Sequence, residues 1–477
     1  MSLKFFNLTN ALFILSCHIG AAIFFYIRAN ILGEQVYYWT ALFIMAAAIP
    51  YVSALLRKRF IFYEGIYLFL AFFLVCHIAR LFLNIDEITL ELSSATEIIK
   101  LLIIGTVSFI VGYEFFLCRL AAQGLPIRNF FVANEYLTKF PLTLYLTGWA
   151  LRLMPRLVVR MFPPGSIISK IIESFNGWQI VIFLMITSIY MALMIDAYIY
   201  FCNLGSKVHI FKKEKYLYRI IFFFTAEIIY GLLITGMKEN ILIPIILMLV
   251  VYLKARKKIP FIYIMLITSI FVVLFMPFTG TFRKMRENYE YTSTAKCAIE
   301  TVENVFNKEN FQDELVKAVK RVSAPLEMSV VSLELYQEGV EIKTYKDAAD
   351  YLSRFVPRFL WPTKPSVDYN RIGKEMGILS EEDYTTSISP TLIGGLILNY
   401  GFYGVFIGMF IAGLIIRTYW EWLVVRTDGN LFSFIVYFLA LYSWIRLDEI
   451  TIILHANIAL FLYVFVIVTL MKRKTGS

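Results

Sequence analysis

Charged residues are scarce in this chain, at 17% of its 477 residues, whereas soluble proteins carry roughly a quarter. Cysteine is scarce as well. The five cysteines include no C-x-x-C pair and no metal-type spacing, so neither a disulfide framework nor a zinc site is indicated. The sequence has no P-loop, no H-E-x-x-H and no G-x-S-x-G motif, which argues against the enzyme classes that carry them. The composition therefore does not indicate a soluble enzyme.

Long apolar runs dominate the chain instead. Hydrophobic residues make up 59% and the mean hydropathy is +0.69, and a membrane-spanning helix needs about 20 mostly apolar residues. The N-terminal run lacks an A-x-A-like cleavage site, so we interpret it as a first membrane helix and not as a removed signal. The sequence predicts an all-α polytopic membrane protein with about 12 transmembrane helices. The candidate spans are 8–27, 38–56, 61–83, 97–117, 138–155, 180–201, 217–235, 240–253, 259–277, 391–416, 431–447 and 450–471.

Basic residues between the spans predict the orientation. Loops rich in Lys and Arg stay in the cytoplasm by the positive-inside rule. With twelve spans, the basic clusters at 57–59, 212–215, 254–258 and 472–474 fall on one side together with both termini. The connection 84–97 has no basic residue and falls on the other side. The net charge of +10 thus reflects topology, and no nucleic-acid partner is indicated.

One long polar segment, residues 278–390, separates a membrane domain of about nine helices (1–277) from one of about three (391–477). It holds 18 of the 35 acidic residues and 15 of the 45 basic residues, so it resembles ordinary soluble protein and is expected to be a large periplasmic loop. Apolar residues at helical spacing over 304–339 predict helix, with Pro325 at a start or a kink. The segment contains no histidine and no D-x-D pair, which argues against a metal-dependent sugar-nucleotide transferase.

Ionisable residues near membrane depth are costly and mark candidate sites. They are Arg152, Arg156 and Arg160 on one helix face, His77 and Arg80, Glu227, Lys238 and Glu239, and Arg446, Asp448, Glu449 and His455. Each also has a structural interpretation: the arginines touch lipid phosphates, His77 packs in the core, Glu227 pairs with a neighbouring helix, and Arg446 forms an ion pair. Their shared external location favours a basic cavity for an anionic, lipid-anchored substrate, because arginine binds phosphate through two parallel N–H bonds.

A stiff basic segment lies just before the tenth span. Residues 355–370 read FVPRFLWPTKPSVDYN, and residues 379–417 read LSEEDYTTSISPTLIGGLILNYGFYGVFIGMFIAGLIIR. This pattern resembles the Wzy-type O-antigen polymerases, whose members share a P-R-x-x-W-P-x-K-P run and then S-x-x-P ahead of a glycine-rich helix with N-x-G. The matching positions are Pro357, Arg358, Trp361, Pro362, Lys364, Pro365, Ser387, Pro390, Asn399 and Gly401.

The resemblance implies a GT-C-like membrane glycosyltransferase that needs no metal and no other cofactor. Such enzymes work at the periplasmic face of the bacterial inner membrane. They transfer the growing glycan from undecaprenyl diphosphate to the non-reducing end of an incoming undecaprenyl-diphosphate-linked oligosaccharide. Membrane lipids and a polysaccharide chain-length regulator are the expected partners. The expected catalytic residues are Arg354, Arg358 and Asp368, and the expected substrate-binding residues are Lys364, Arg371, Arg321, Arg152, Arg156, Lys238 and Arg446.

Several alternatives stay open at this point. Asp368 is the nearest carboxylate to the basic run, where it serves as a base or forms a salt bridge with Arg371. Trp361 either stacks on a sugar or anchors at the membrane interface. The glycines between 394 and 413 are interpreted as close-packing positions. The related O-antigen ligases, which move glycan to a lipid A core, and a transporter or flippase of polysaccharide units are the competing functions.

Overall fold

The structure is a computed structural model that describes residues 8–83, 91–115, 140–161, 178–203, 210–231, 238–256, 294–305, 322–339 and 389–475, with a few single residues between 266 and 374. Over these ranges the chain is helical and contains no strand. The helices are α1 (Leu8–Leu32), α2 (Gln35–Leu56), α3 (Gly65–Ile78), α4 (Leu92–Glu114), α5 (Pro141–Met161), α6 (Trp178–Asn203), α7 (Ile210–Ile229), α8 (Lys238–Arg256), α9 (Thr294–Val305), α10 (Ala324–Gln337), α11 (Thr391–Trp420), α12 (Leu431–Ile445) and α13 (Ile450–Thr475).

The described helices follow the apolar runs of the sequence. Eleven of the twelve predicted spans overlap a helix, and the ninth, 259–277, lies mostly outside the described residues. By length and composition, five described helices can cross a membrane: α1, α2, α3 with the turn after it, α4 and α11. Shorter apolar helices lie within α6, α12 and α13. The chain is therefore an all-α membrane protein, and its described part has five membrane-length helices where twelve spans were predicted.

Helix α4 packs against α11 at backbone contact. A Cβ atom added to Gly112 would lie 2.1 Å from the carbonyl oxygen of Phe410, and one added to Gly413 would lie 2.2 Å from that of Phe109. Any side chain at either glycine would push the two helices apart, because real Cβ atoms do not approach so closely. Ser108 also donates a hydrogen bond to the carbonyl oxygen of Phe406 across the interface, at 2.6 Å. The close-packing role predicted for Gly413 is therefore confirmed.

Helix α11 is broken at Gly401, which the sequence analysis treated as the interior of one continuous span. Gly401 has φ 63° and ψ −150°, a conformation essentially reserved for glycine. Beyond the break the chain turns back, so that Cβ positions on Gly404 and Gly408 would lie 2.4 Å and 2.5 Å from atoms of Leu396. Residues eight and twelve apart are far apart along a straight helix. The predicted single span is therefore two helical segments with a sharp turn between them.

The helix ends gather at two ends of the bundle. The turn-33 end contains the α1–α2 turn at 33–34, the start of α4 and the α12–α13 turn at 446–449. The turn-58 end contains the α2–α3 turn at 57–64 and the turn at 426–430 before α12.

A buried charge network lies at the turn-58 end. Arg417 Nη1 lies 3.1 Å from Glu64 Oε1, and Arg417 Nη2 lies 2.5 Å from Glu421. Tyr113 donates its hydroxyl to the same Glu64 oxygen at 2.9 Å. Burial raises the pKa of the Glu64 carboxyl, and Arg417 opposes that shift. The network fastens α11 to the start of α3 and the end of α4.

The remaining helices form a second group around α6. Helices α5, α7 and α8 all pack on α6, and α6 contacts α12 and α13. Arg219 of α7 forms an ion pair with Asp196 of α6. Through the contacts of α6 with α12 and α13, which pack on α11, this group joins the bundle built from α1–α4 and α11.

Helix α10 belongs to the segment that was predicted to be a soluble-like loop, but it packs into the bundle. Its first turn contains Pro325, so of the two roles predicted for this proline, a helix start or a kink, the structure shows a start. Leu326 and Leu333 are buried, and the helix packs on α3, α4 and α11. The apolar spacing seen in the sequence therefore marks a bundle-facing stripe.

Candidate functional site

A row of polar residues, most of them buried, lies at the turn-33 end, where α3, α10, α11 and the α12–α13 turn meet. We call it the polar row: His77, Arg80, Glu327, Ser332 and Glu449. It begins at the end of α3 with His77, and Arg80 follows in the 3₁₀ turn Ala79–Phe82. Both side chains are buried, with 1% and 2% exposure.

The His77 ring is fixed by its own helix. Nδ1 lies 2.7 Å from the carbonyl oxygen of Phe73. Because a carbonyl oxygen only accepts, Nδ1 carries the hydrogen and Nε2 is the acceptor. Nε2 has no hydrogen-bond partner among the described residues. The ring is buried, as expected of a core histidine, but within the described part of the chain only Nδ1 forms a hydrogen bond.

Arg80 is paired with α10. Its Nη1 lies 2.8 Å from Glu327 Oε2, and the side chains are 2% and 33% exposed. Glu327 stands in the first turn of α10, where the helix dipole favours a carboxylate. The guanidinium is thus removed from water while its partner reaches the surface, and the pair ties α10 to the end of α3.

The start of α11 fits closely between α10 and the α12–α13 turn. A Cβ atom on Gly394 would lie 2.6 Å from Ser332 Oγ, and one on Gly395 would lie 2.9 Å from Glu449 Cγ. Glu449 is fully buried. The two adjacent glycines are therefore what lets α11 enter between two polar residues, one on each side.

Arg446 lies on the α12–α13 turn at the same end. Its Nε lies 3.1 Å from Asp448 Oδ2, and the side chains are 40% and 22% exposed. The turn is held to α11 by a hydrogen bond from the Leu392 nitrogen to the Leu447 oxygen, at 2.8 Å. The ion pair that the sequence suggested for Arg446 is therefore present, beside the polar row.

The proline-rich motif belongs to the connection between α10 and α11. Helix α10 ends at Gln337 and α11 begins at Thr391, and both of these ends lie at the turn-33 end. The predicted site residues of this connection, and one in front of α10, lie outside the described residues: Arg354, Arg358, Lys364, Asp368, Arg371 and Arg321.

Arg152 lies in the second helix group, where it forms a buried ion pair. Its Nη1 lies 3.0 Å and 2.9 Å from the two carboxylate oxygens of Glu227, with side-chain exposures of 7% and 1%. The guanidinium carbon also stands 3.6 Å from the ring centroid of Tyr230 and 5.0 Å from that of Trp149. The helix-pairing interpretation of Glu227 is therefore confirmed, and its partner is Arg152.

The predicted substrate-binding arginines are anchored separately in the described structure. Arg152 pairs with Glu227 between α5 and α7, whereas Arg446 pairs with Asp448 at the turn-33 end. Arg156 lies in α5 and Lys238 is the first residue of α8, and their side chains fall outside the described part of the chain.

Glu327, Glu64 and Arg417 are ion-paired residues that were missed by reasoning from the sequence. Glu327 had a usable signal, since it is an acidic residue two positions after a helix-starting proline. Glu64 and Arg417 had none, because the two residues are 353 positions apart and only the fold brings them together.

The comparisons with known proteins give one match. A family model described as a domain of unknown function (DUF8712) matches residues 167–472. This range covers α6 to α13, the connection 340–388 and the Glu327 and Glu449 part of the polar row. Neither a curated protein nor a solved structure matches the chain.

Proposed function

The chain belongs to the DUF8712 family, and we propose that this member is a membrane glycosyltransferase that polymerises lipid-linked oligosaccharide units. The donor is a glycan on undecaprenyl diphosphate, and the acceptor is the non-reducing end of an incoming lipid-linked unit. The product is O-antigen or a similar surface polysaccharide.

One observation carries this proposal. The connection that holds the P-R-x-x-W-P-x-K-P motif starts and ends at the turn-33 end, beside the polar row. The Arg80–Glu327 pair fixes α10, which leads into the connection, and the close contacts of Gly394 and Gly395 fix the start of α11, which leads out of it. Both described ends of the connection are thus fixed at one side of the bundle, which supports the proposal that its basic residues, Arg354, Arg358, Lys364 and Arg371, act at that side on an anionic substrate.

The reaction needs charge stabilisation and one proton acceptor. The acceptor hydroxyl attacks the anomeric carbon, and the bond from that carbon to the diphosphate oxygen breaks. Arg354, Arg358, Lys364 and Arg371 would stabilise the negative charge on the departing diphosphate. Asp368 would accept the hydroxyl proton. No metal or cofactor has a role in this scheme.

We assign the fold to the GT-C-like class with about twelve spans, in a bacterial inner membrane with both termini in the cytoplasm. The distribution of charge supports this orientation. The basic turn at 57–59 lies at the turn-58 end, and so does Lys254, which donates to the Gly429 carbonyl oxygen at 2.7 Å. Under the positive-inside rule this end faces the cytoplasm, and the turn-33 end then faces the periplasm.

Purified chain supplied with lipid-linked units alone tests the activity. We expect a ladder of polymer lengths and release of undecaprenyl diphosphate, and we expect Arg358→Ala to abolish the ladder. Lys296→Ala is the matched control, because this lysine is 71% exposed on α9, and it should leave the ladder unchanged. Product that forms only when a lipid A core is added would instead identify a ligase.

The break in α11 favours a second candidate, a transporter of lipid-linked units. Discontinuous membrane helices are typical of transporter binding sites, and Gly401 creates such a discontinuity. Vesicles with lipid-linked units on one leaflet distinguish the two functions. Movement of units to the other leaflet without any ladder would support transport and reject the polymerase.

A further inference from the structure

Two buried carboxylates of the second helix group are paired to different extents. Glu227 of α7 has both of its oxygens within 3.0 Å of Arg152 Nη1. Asp196 of α6 is also completely buried, but its ion pair with Arg219 is made through Oδ1 alone. The comparison singles out Asp196, because an incompletely paired charge in an apolar interior is costly and requires an explanation.

The Asp196–Arg219 pair leaves one buried polar atom unused on each side. Asp196 Oδ2 and Arg219 Nε are both removed from solvent, and neither has a hydrogen-bond partner among the described residues. A metal ion does not fit this position, because the guanidinium would repel it and no group of three His, Cys, Asp or Glu residues in the described ranges could hold one. A buried carboxylate that lacks partners is instead stabilised when it binds a proton.

The pair lies close to one membrane surface. Asp196 stands seven residues before the end of α6 at Asn203, which is about 10 Å along a helix axis. Arg219 is 20% exposed, and Lys215, one turn earlier on the same face of α7, is exposed. Lys215 belongs to the basic cluster that the positive-inside rule places in the cytoplasm. The guanidinium therefore stands between the cytoplasmic surface and the Asp196 carboxylate.

The charges around Asp196 come from α7. In the described part of the chain, the charged groups that act on this carboxylate are Arg219 and Lys215. The charged groups of the other helices that pack on α6 are engaged elsewhere: Arg152 of α5 pairs with Glu227, and Lys254 of α8 donates to a carbonyl oxygen at the turn-58 end. The charge state of Asp196 is thus coupled to the position of α7.

We propose that Asp196 is a proton-binding site that is filled from the cytoplasmic side, and that its protonation releases the start of α7 from α6. The proton comes from water at that surface and forms an O–H bond at Oδ2, which leaves the carboxyl uncharged and Arg219 without a counter-ion. The guanidinium then turns toward the water that it already reaches. Glu227, about 12 Å further along α7, keeps its pair with Arg152 and holds that part of the helix in place.

Infrared spectroscopy on the native chain in lipid nanodiscs tests the site. Between about pH 8 and about pH 6, where exposed carboxylates take up few protons, we expect the C=O stretch of a protonated aspartate to appear. A chain grown on aspartate with a heavy isotope at its carboxyl carbon should show this band at lower frequency, which identifies an aspartate without any substitution. Asp196→Asn should remove the band. Asp448→Asn is the matched control and should keep it, because Asp448 also pairs with an arginine but is 22% exposed.

Pulsed electron paramagnetic resonance tests the release of α7. In a chain whose native cysteines are replaced, one spin label stands at Tyr218 of α7, which is 66% exposed, and the other at Tyr38 of α2, which is 45% exposed. We expect the distance between the labels to change over the same pH interval. Asp196→Asn should show the low-pH distance at every pH, because asparagine carries no charge. Glu114→Gln, which removes an exposed ion pair, should leave the pH-dependent change intact.

Three results would overturn the inference. An aspartate band that is absent down to about pH 6, or one that persists in an Asp196→Asn chain shown to be folded by size-exclusion chromatography, would refute the proton site. A label distance that stays constant while the band appears would refute the release of α7. Neither measurement needs a substrate, so a chain that shows both changes without making polymer would refute only the polymerase.

Discussion

The buried pair of Arg152 and Glu227 offers the sharpest test of how charge is accommodated in this protein. Replacing Glu227 with Gln keeps the side-chain shape but removes the negative charge. The guanidinium then stays buried, at 7% side-chain exposure, without a counter-ion. Breaking such a pair from one side is expected to lower the free energy of unfolding by about 3–5 kcal/mol.

The double replacement Arg152→Gln with Glu227→Gln should destabilise less than either single replacement, since it leaves no unpaired charge. The Tyr230 ring, 3.6 Å from the guanidinium carbon, loses a cation–π contact in any variant without the arginine. That contact is worth about 2 kcal/mol when desolvated, so the double variant should remain below the native chain. The difference between the stability loss of the double variant and the sum of the two single losses measures the interaction energy between Arg152 and Glu227.

Unfolding by sodium dodecyl sulfate in mixed micelles measures these free energies. Glu114→Gln is the matched control, because the Arg57–Glu114 pair has a similar distance, 3.0 Å, but exposures of 58% and 35%. Its loss should stay below about 1 kcal/mol. Strictly additive single replacements, or a Glu227→Gln chain as stable as the native one, would refute the view that the two charges hold each other in the apolar interior.

Three further substitutions test the packing. In a thermal melt, Gly401→Ala should lower stability by about 1–3 kcal/mol because of the positive φ of Gly401. Gly20→Ala, inside α1 and with open space around it, should not lower stability, because alanine is the better helix former; equal melting of the two variants would contradict the break. Gly413→Ala should separate α4 from α11, which cross-linking between introduced cysteines would detect as slower disulfide formation; an unchanged rate would contradict the contact. Arg80→Gln should lower stability by about 1–3 kcal/mol through loss of a charged hydrogen bond and speed proteolysis near Glu327, whereas unchanged cleavage would show that the pair does not hold α10.

Some features of the fold were predictable from the sequence and others were not. The start of α10 at Pro325 and the close packing at Gly413 were predictable, because each depends on a local property of one residue. The break at Gly401 was not, because a glycine inside an apolar run has the same local signature whether its helix is straight or folded back. The break places Gly401 against Tyr336 of α10, a contact that only the folded chain supplies.

The candidate site likewise combines residues that were predictable from the sequence with pairings that were not. Arg80, His77 and Arg446 were singled out as charged groups in an apolar setting, a property visible in composition. The partner of Arg80 lies 247 positions away, so its pairing with Glu327 depended on where α10 docks. The family match and the motif both fall on the later part of the chain. The polar row, by contrast, also includes His77 and Arg80, which belong to the first hundred residues.

The sequence by itself determined that the protein is helical and lies in a membrane, since the length of an apolar run sets what the run can span. It also placed most helix bounds within a few residues. The tertiary structure alone decided which charges neutralise each other, that α11 turns back on itself, and that α10 packs into the bundle. These are properties of contacts between distant segments, and their energies depend on burial and geometry that no local stretch contains.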